Sequence, residues 1–152
     1  MTGSVPEPRW LSSEDQVVWR NYLRATMEVR EALERDLMDG FGLSLNEYEV
    51  MVVLSEQPDH TARMSTLADD LVNSRSRLTH TVNRMERRGL VERRSCKDDG
   101  RGVNCRLTEA GYALLESAAP LHVESVRQNI FDRLSRTEID AFGRIMAKLG
   151  DV

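Results

Sequence analysis

The 152-residue chain is poor in several features that whole classes of protein require. Its two cysteines are too few for a disulfide framework or for a metal site with the usual number of ligands. No apolar run is long enough to cross a membrane, and the N-terminus lacks a signal-peptide pattern. Aromatic residues make up only 5% of the chain, which allows a helical core but not an aromatic-rich one. We therefore expect one cytoplasmic domain, or one body with two lobes, without cofactor, metal or membrane partner.

Motifs for catalysis are also missing. The three histidines are scattered and form no pair at metal-ligand spacing. The sequence has no G-x-S-x-G motif and no glycine loop that could cradle a phosphate. An enzyme is therefore not expected.

The segment from Met64 to Thr108 contains the strongest pattern in the chain. Its first part predicts a short helix that begins at Ser65 as N-cap. Ser74 to Arg88 predicts a second helix, because its apolar residues recur at helical spacing, and Gly89 is a typical residue for ending it. The recurring apolar residues are Leu78, Thr81, Val82 and Met85.

Two short strands are predicted after these helices, at Leu90–Arg94 and Val103–Leu107. The charged loop between them, Lys97–Gly102, contains two glycines. We interpret the whole unit as a winged helix-turn-helix, entered through a polar turn at Asp59–Arg63.

The polar face of the second predicted helix indicates nucleic-acid binding. Ser76, His80 and Asn83 point away from the apolar stripe, and Asn73, Arg77 and Arg84 flank them. Arginine pairs well with guanine edges, and serine or asparagine can contact bases or phosphates. The alternative is a solvent-exposed helix in a protein-interaction module.

Charge is strongly segregated along the chain. Residues 75–106 carry ten Lys or Arg and four Asp or Glu, a net charge of +6, whereas the whole chain carries −4. The rest of the chain therefore carries −10. A basic segment in an acidic protein predicts a localised site for a polyanion such as duplex DNA.

The run LADDLVNSRSRLTHTVNRMERRGLVERR, followed by DDGRG and LTEAG, resembles the MarR (multiple antibiotic resistance regulator) family, and the resemblance extends from about Trp10 to Leu149. It implies a bacterial or archaeal transcription regulator, here expected to be a repressor. The resemblance also implies a homodimer that binds a pseudo-palindromic operator. Regulators of this family often release the operator when they bind a small molecule or react with an oxidant. The expected fold is mainly α, with a two- or three-stranded β wing, a winged helix-turn-helix and a helical dimerisation region.

The domain boundaries follow from the same patterns. Residues 1–11 are expected to form a flexible arm, residues 44–107 the winged helix-turn-helix, and residues 12–43 with 108–152 the dimerisation region. The first helix should start at Ser12 or Ser13 and break at Gly40 and Gly42. Capping boxes are predicted at Ser44–Glu47 and Ser135–Glu138. The first helix and the last two have more apolar surface than a small winged helix can cover, which favours a second subunit as their partner.

The predicted DNA contacts lie on the second helix and the wing. Those on the helix and on the first of the two predicted strands are Ser74, Arg75, Ser76, Arg77, His80, Arg84 and Arg94. The resemblance adds Arg101 as a wing-tip arginine that enters the minor groove and Asp99 as the residue that orients it, although Asp99 could also only shape the turn. Arg93, Arg94, Lys97 and Arg106 could contact the DNA backbone or remain solvated.

The effector, if one binds, is expected to be small and aromatic or phenolic. The resemblance suggests Trp19, Tyr22 and His122 for its site, with His60 also considered, although helical spacing equally fits packing roles for these residues. Cys96 and Cys105 lie on the two arms of the wing, where they could face one another and respond to oxidants, or form two small buried thiols. A thiol-based regulator without a ligand is therefore the remaining alternative.

Overall fold

The computed structural model describes residues 7–71, 74–96, 100 and 102–150. The predicted fold class is confirmed: the chain is mainly helical, with a small three-stranded sheet. In chain order, the elements are α1 (Ser13–Phe41), α2 (Leu45–Ser55), a 3-10 turn (Pro58–His60), β1 (Thr61–Arg63), α3 (Met64–Asp70), α4 (Arg75–Arg87), β2 (Val91–Ser95), β3 (Val103–Leu107), α5 (Glu109–Asn129), a second 3-10 turn (Phe131–Arg133) and α6 (Arg136–Gly150).

Side-chain caps fix most helix starts. The Ser12 hydroxyl accepts a hydrogen bond from the backbone N–H of Asp15 at the start of α1. Both predicted capping boxes are present, at Ser44–Glu47 and at Ser135–Glu138. The prediction that Ser65 caps α3 is wrong, because the N-cap position is two residues earlier, at Arg63, and has no side-chain hydrogen bond.

Helix α1 extends further than the sequence indicates. Gly40 does not break it, since the helix continues to Phe41 and ends at Gly42, whose left-handed backbone (φ 62°) is typical of a C-terminal glycine. Gly40 instead lies where α1 crosses α5, and a Cβ there would be 2.7 Å from Leu121 Cδ2. A glycine in a helix is tolerated where another helix approaches closely.

The sheet has the order β1-β3-β2, and both pairs are antiparallel. The predicted polar turn at Asp59–Arg63 is wrong in its second half, because Thr61–Arg63 forms β1 and pairs with β3. Three residues are too few to show strand periodicity in the sequence, so this strand depends on its partner. Strand β3 is therefore the central strand of the wing.

One core joins the helix-turn-helix to the ends of the longer helices. The last turns of α1 contribute Leu33 and Leu37, and α5 contributes Leu115 and Ala118. The largest fully buried side chains of the unit between them are Leu43, Val50, Met51, Leu54, Leu67, Leu78, Val82, Met85, Val91, Cys105 and Leu107. The core therefore holds α4 against α2 and the sheet, with its other face in solvent.

Helix α6 and the first half of α1 remain largely uncovered. No described residue of α6 is buried, and its Phe142, Ile145 and Leu149 are 40%, 53% and 56% exposed. In α1, all buried residues lie beyond position 31. No helix among the described residues is both long and apolar enough to cross a membrane.

Candidate nucleic-acid interface

Helix α4 presents its first turns to solvent. Ser74 is its N-cap, and the hydroxyl accepts a hydrogen bond from the backbone N–H of Arg77 at 3.2 Å. Leu78, Thr81, Val82 and Met85 are buried, as the spacing predicts, while Arg75, Ser76, Arg77 and His80 are exposed. Neither Arg75 nor Arg77 makes an ion pair with any described residue. Their guanidinium groups are thus available to an anion outside the protein.

Arg75 also lines a groove of about 250 Å³ between α4 and the base of the wing. The polar wall of the groove is formed by Arg63 on β1, Ser65 on α3 and Thr79 on α4, and Gly102 and Val103 close it. The guanidinium groups and the Ser65 hydroxyl are suited to a phosphate, because both can donate hydrogen bonds to its oxygens, whereas the Thr79 hydroxyl already donates to the Arg75 carbonyl at 2.8 Å. The groove therefore extends the exposed cationic surface from α4 towards the wing.

A second groove, of about 620 Å³, lies on the other side of α4. It is lined by His80, Asn83, Arg84, Glu86 and Arg87 of that helix and by Arg93 of β2. The Arg93 Nε donates a hydrogen bond to a Glu86 carboxylate oxygen at 2.6 Å, so part of its charge is neutralised. Arg84 is about half exposed, and its Nε lies 3.7 Å from a carboxylate oxygen of Glu47.

Two arginines of the wing strands, Arg94 and Arg106, are paired within the sheet. Arg94 on β2 and Arg106 on β3 both reach the Glu92 carboxylate, at 2.8 Å and 3.3 Å. Arg94 is nevertheless 69% exposed, so it can still contact a phosphate at the cost of that ion pair. The predicted contacts Asp99 and Arg101, and the flanking Asn73 and Lys97, lie outside the described residues.

The two cysteines do not face one another. Cys105 on β3 is paired with Arg93 and with Ala62, whereas the backbone N–H of Cys96 donates to the Gly102 carbonyl at 2.8 Å. The alternative in which the two cysteines face one another is therefore wrong, since the strand register pairs Cys105 with Arg93. Cys105 is fully buried, and burial raises the pKa of its thiol to about 12. Cys96 is half-buried and lies 3.5 Å from an Arg63 guanidinium nitrogen.

The three residues predicted for an effector site do not meet within one protomer. The rings of Trp19 and Tyr22 stack on each other, 5.9 Å apart, on the exposed half of α1. Helix α5 runs antiparallel to α1, since Gly40 lies beside Leu121 and Asp36 bonds to Ser125. His122 is thus level with the end of α1, ~30 Å from Trp19 at the helical rise of about 1.5 Å per residue.

His122 packs instead on Tyr48 of α2, with ring centroids 4.3 Å apart. Its Nδ1 is buried and has no hydrogen-bond partner among the described residues, and burial lowers the pKa of the ring. Burial also raises the pKa of the Tyr48 phenol. The other histidine considered for the effector, His60, stacks on Tyr112 of α5 at 5.2 Å. Both histidines thus join α5 to the winged helix-turn-helix, residues 44–107.

Sequence reasoning missed three carboxylates that form ion pairs with arginines of the basic segment. Glu86, Glu92 and Glu47 each pair with one or two arginines of the basic segment. Glu47 was predicted only as part of a capping box, and nothing in its local sequence shows that it also meets α4, about 40 residues later. A local signal exists for Glu92, which lies two residues from Arg94 on the same strand and therefore on the same face of the sheet.

Comparison with known proteins identifies relatives with the same fold. The model of the MarR family matches residues 43–103. The structure of Sco3205, a MarR family transcriptional regulator from Streptomyces coelicolor in complex with DNA, superposes with a TM-score of 0.92 and 40% identity, and covers 97% of this chain and 92% of that one. AbsC, another MarR family regulator from S. coelicolor, gives a TM-score of 0.89 and 38% identity, with coverages of 95% and 97%.

A sequence comparison also finds a transcription regulator as a relative. The transcriptional repressor MprA of Escherichia coli is 31% identical over 108 residues, which are 71% of this chain. The chain spans 61% of the length of MprA.

Proposed function

Because the chain belongs to the MarR family of transcriptional regulators, we propose that it binds duplex DNA and represses transcription as a homodimer. Sco3205 forms a complex with DNA, and MprA is a repressor. The family is one of transcription regulators, not of enzymes. A protein that acts on chromosomal DNA in a bacterium works in the cytoplasm.

The exposed N-terminal half of α4 carries this proposal. Arg75 and Arg77 lie on the solvent side of a helix whose other side is fixed in the core, and neither is neutralised by a described carboxylate. We infer that Ser74, Ser76, Arg77 and His80 lie nearest the base edges in the major groove, whereas Arg75 and Arg84 hold phosphates. Arg94, with Asp99 and Arg101 at the wing tip, would contact the adjacent backbone and minor groove.

The uncovered apolar faces support the homodimer. Phe142, Ile145 and Leu149 form one stripe on α6, and Trp19 and Tyr22 are also exposed on the first half of α1. A patch of this kind is expected to pack against a second copy, which gives the two-fold symmetry of a pseudo-palindromic operator. Residues 12–43 and 108–152 would then form the dimerisation region. The two α4 helices would enter successive major grooves, about 34 Å apart.

Selection of bound fragments from random duplexes at fixed salt tests the proposal. We expect two half-sites related by a dyad, and an affinity whose logarithm falls linearly with the logarithm of salt concentration. Failure to retain any duplex at low salt would reject DNA binding and favour the protein-interaction module.

Variants then test the assignment of residues. Arg77→Ala is expected to weaken operator binding by about 1–3 kcal/mol and to relax preference at one base pair, if the side chain reads a base. Arg127→Ala removes the same charge from an exposed site on α5 and is the matched control. If Arg77→Ala and Arg127→Ala bind the operator with equal affinity, and also bind random duplexes with equal affinity, base contact by Arg77 is excluded.

A further inference from the structure

Glu47 is a charged residue in an unusual position. It is only 4% exposed, yet it lies at the third position of α2 in a protein that places most of its carboxylates in solvent. Its carboxylate accepts a hydrogen bond from the backbone N–H of Ser44 at 2.9 Å, which completes the capping box. Glutamine can make the same capping hydrogen bond, whereas a carboxylate here also interacts favourably with the positive end of the helix dipole. Both effects act on an exposed side chain as well, so the cap does not explain why this negative charge is buried.

The charge meets the C-terminal end of α4. A guanidinium nitrogen of Arg88, the residue that ends α4, lies 3.4 Å from Glu47 Oε2, and Arg84 Nε lies 3.7 Å from Oε1. Arg84 and Arg88 are four residues apart, so they lie on the same side of the helix. Glu47 thus binds two successive turns of α4 at the end away from its first exposed turns.

Arg88 extends this contact to α1. The same guanidinium nitrogen donates a hydrogen bond to the carbonyl oxygen of Gly42, the residue at which α1 ends, at 3.0 Å. One arginine therefore connects the ends of α1 and α4 with the start of α2. We call these four residues, Gly42, Glu47, Arg84 and Arg88, the corner cluster.

We propose that Glu47 is a positioning residue for DNA recognition, and that its buried charge holds α4 at a fixed place relative to α1 and hence to the dimer axis. The inference rests on the proposed function. The carboxylate of Glu47 is buried, whereas the side chains of Arg84 and Arg88 are 48% and 38% exposed, so these ion pairs add little net stability. A buried carboxylate that keeps both partners nevertheless favours one arrangement of the helices over others. Shifting a half-site by one base pair moves it by about 3.4 Å, so a rigid connection between α1 and α4 discriminates between half-site spacings.

Two variants break the corner cluster with opposite changes in charge. Glu47→Gln retains the capping hydrogen bond but loses both ion pairs, and adds one unit of net positive charge. Arg88→Met loses the contacts to Glu47 and Gly42 and removes one unit. If only charge mattered, affinity for random duplex would rise in the first and fall in the second, and the spacing preference would stay that of the wild type.

The measurement is the ratio of affinities for the selected operator and for the same half-sites spaced one base pair wider. Loss of one base contact changes affinity roughly fivefold to a hundredfold. We therefore expect this ratio to fall by about tenfold in both variants. Ser44→Ala is the matched control, because it removes the hydroxyl from the same capping box and leaves the charge of Glu47. Its melting temperature should fall, with the ratio unchanged.

Circular dichroism first shows which variants fold, and Arg88→Met decides the question if Glu47→Gln does not. A wild-type ratio in the folded variants overturns the positioning role. The same loss of ratio in Ser44→Ala also overturns it, since a general loosening of the cap would then be the cause. Failure of the wild-type protein to bind any duplex is a separate result, which removes the proposed function itself.

Discussion

Replacing Gly111 with alanine tests how α5 is attached to the winged helix-turn-helix. Gly111 is the third residue of α5, and its N–H donates to the hydroxyl of the N-cap Thr108 at 3.1 Å. Thr108 in turn donates from its backbone to the Leu90 carbonyl, at 3.1 Å, and from its hydroxyl to the Gly89 carbonyl, at 2.6 Å. The start of α5 therefore lies directly on the turn that follows α4.

There is no room for a methyl group at this contact. A Cβ on Gly111 would lie 2.1 Å from the Leu90 carbonyl oxygen and 2.6 Å from Leu107 Cδ1. The carbonyl belongs to the backbone and cannot rotate away, so α5 must retreat by roughly 1 Å. Overpacking of this kind costs about 1–3 kcal/mol, and weakening the Thr108 bond costs about 0.5–1.5 kcal/mol. Alanine regains up to about 1 kcal/mol of helix propensity.

The expected net loss is about 2 kcal/mol in the free energy of unfolding, or roughly 4–8 °C in melting temperature. It is measured by urea unfolding at one protein concentration, because dimerisation makes apparent stability concentration-dependent. Gly40→Ala is the matched control, since its Cβ would meet only the rotatable end of the Leu121 side chain, at 2.7 Å. We expect this control to stay within about 1 kcal/mol of the wild type. Equal stability of the two variants would refute the argument from the rigid carbonyl.

Three further results are expected from the remaining contacts. Burial lowers the pKa of His122, so the unfolded chain binds the proton first, and stability should fall as the pH drops below about 6.5 towards the folded-state pKa; urea titrations across that range should lose this slope in His122→Phe. Because burial raises the pKa of Cys105 to about 12, iodoacetamide at pH 8 should modify Cys96 before Cys105 in the folded protein, as mass spectrometry would show; equal modification would contradict the buried position. Ile145→Asp, on the exposed stripe of α6, should yield a monomer in sedimentation and weaken operator binding; a dimeric variant would place the interface elsewhere.

Local patterns made much of the fold predictable. The capping boxes at Ser44 and Ser135 and the left-handed glycine after α4 each depend only on residues within four positions along the chain. A short stretch of sequence is therefore enough to predict them. The apolar stripe of α4 also predicted its buried face, because one face of that helix packs and the other does not.

Features that depend on distant residues could not be predicted. Strand β1 forms because β3 lies beside it, and Gly40 stays helical because α5 packs across it. The pairing of Glu47 with Arg84 and Arg88 connects residues about 40 positions apart, and neither end shows it locally. Within one protomer, Trp19 and Tyr22 lie far from His122 for a related reason: helical spacing identifies a face, but not the position along an antiparallel partner helix.

The turn between α2 and β1 affects how the stability of variants should be measured. Asp59 and His60 both have left-handed backbones, with φ of 52° and 53°. This conformation costs about 1–2 kcal/mol for most residues, less for aspartate. It brings the His60 ring onto Tyr112. Replacing His60 with glycine would remove the strain of the left-handed backbone, which stabilises the fold. It would also remove the ring that stacks on Tyr112, which destabilises the fold. Because the two effects oppose each other, the melting temperature of this variant could stay unchanged although the contact between His60 and α5 is lost. Faster amide hydrogen exchange in the first turns of α5 would reveal the loss of that contact.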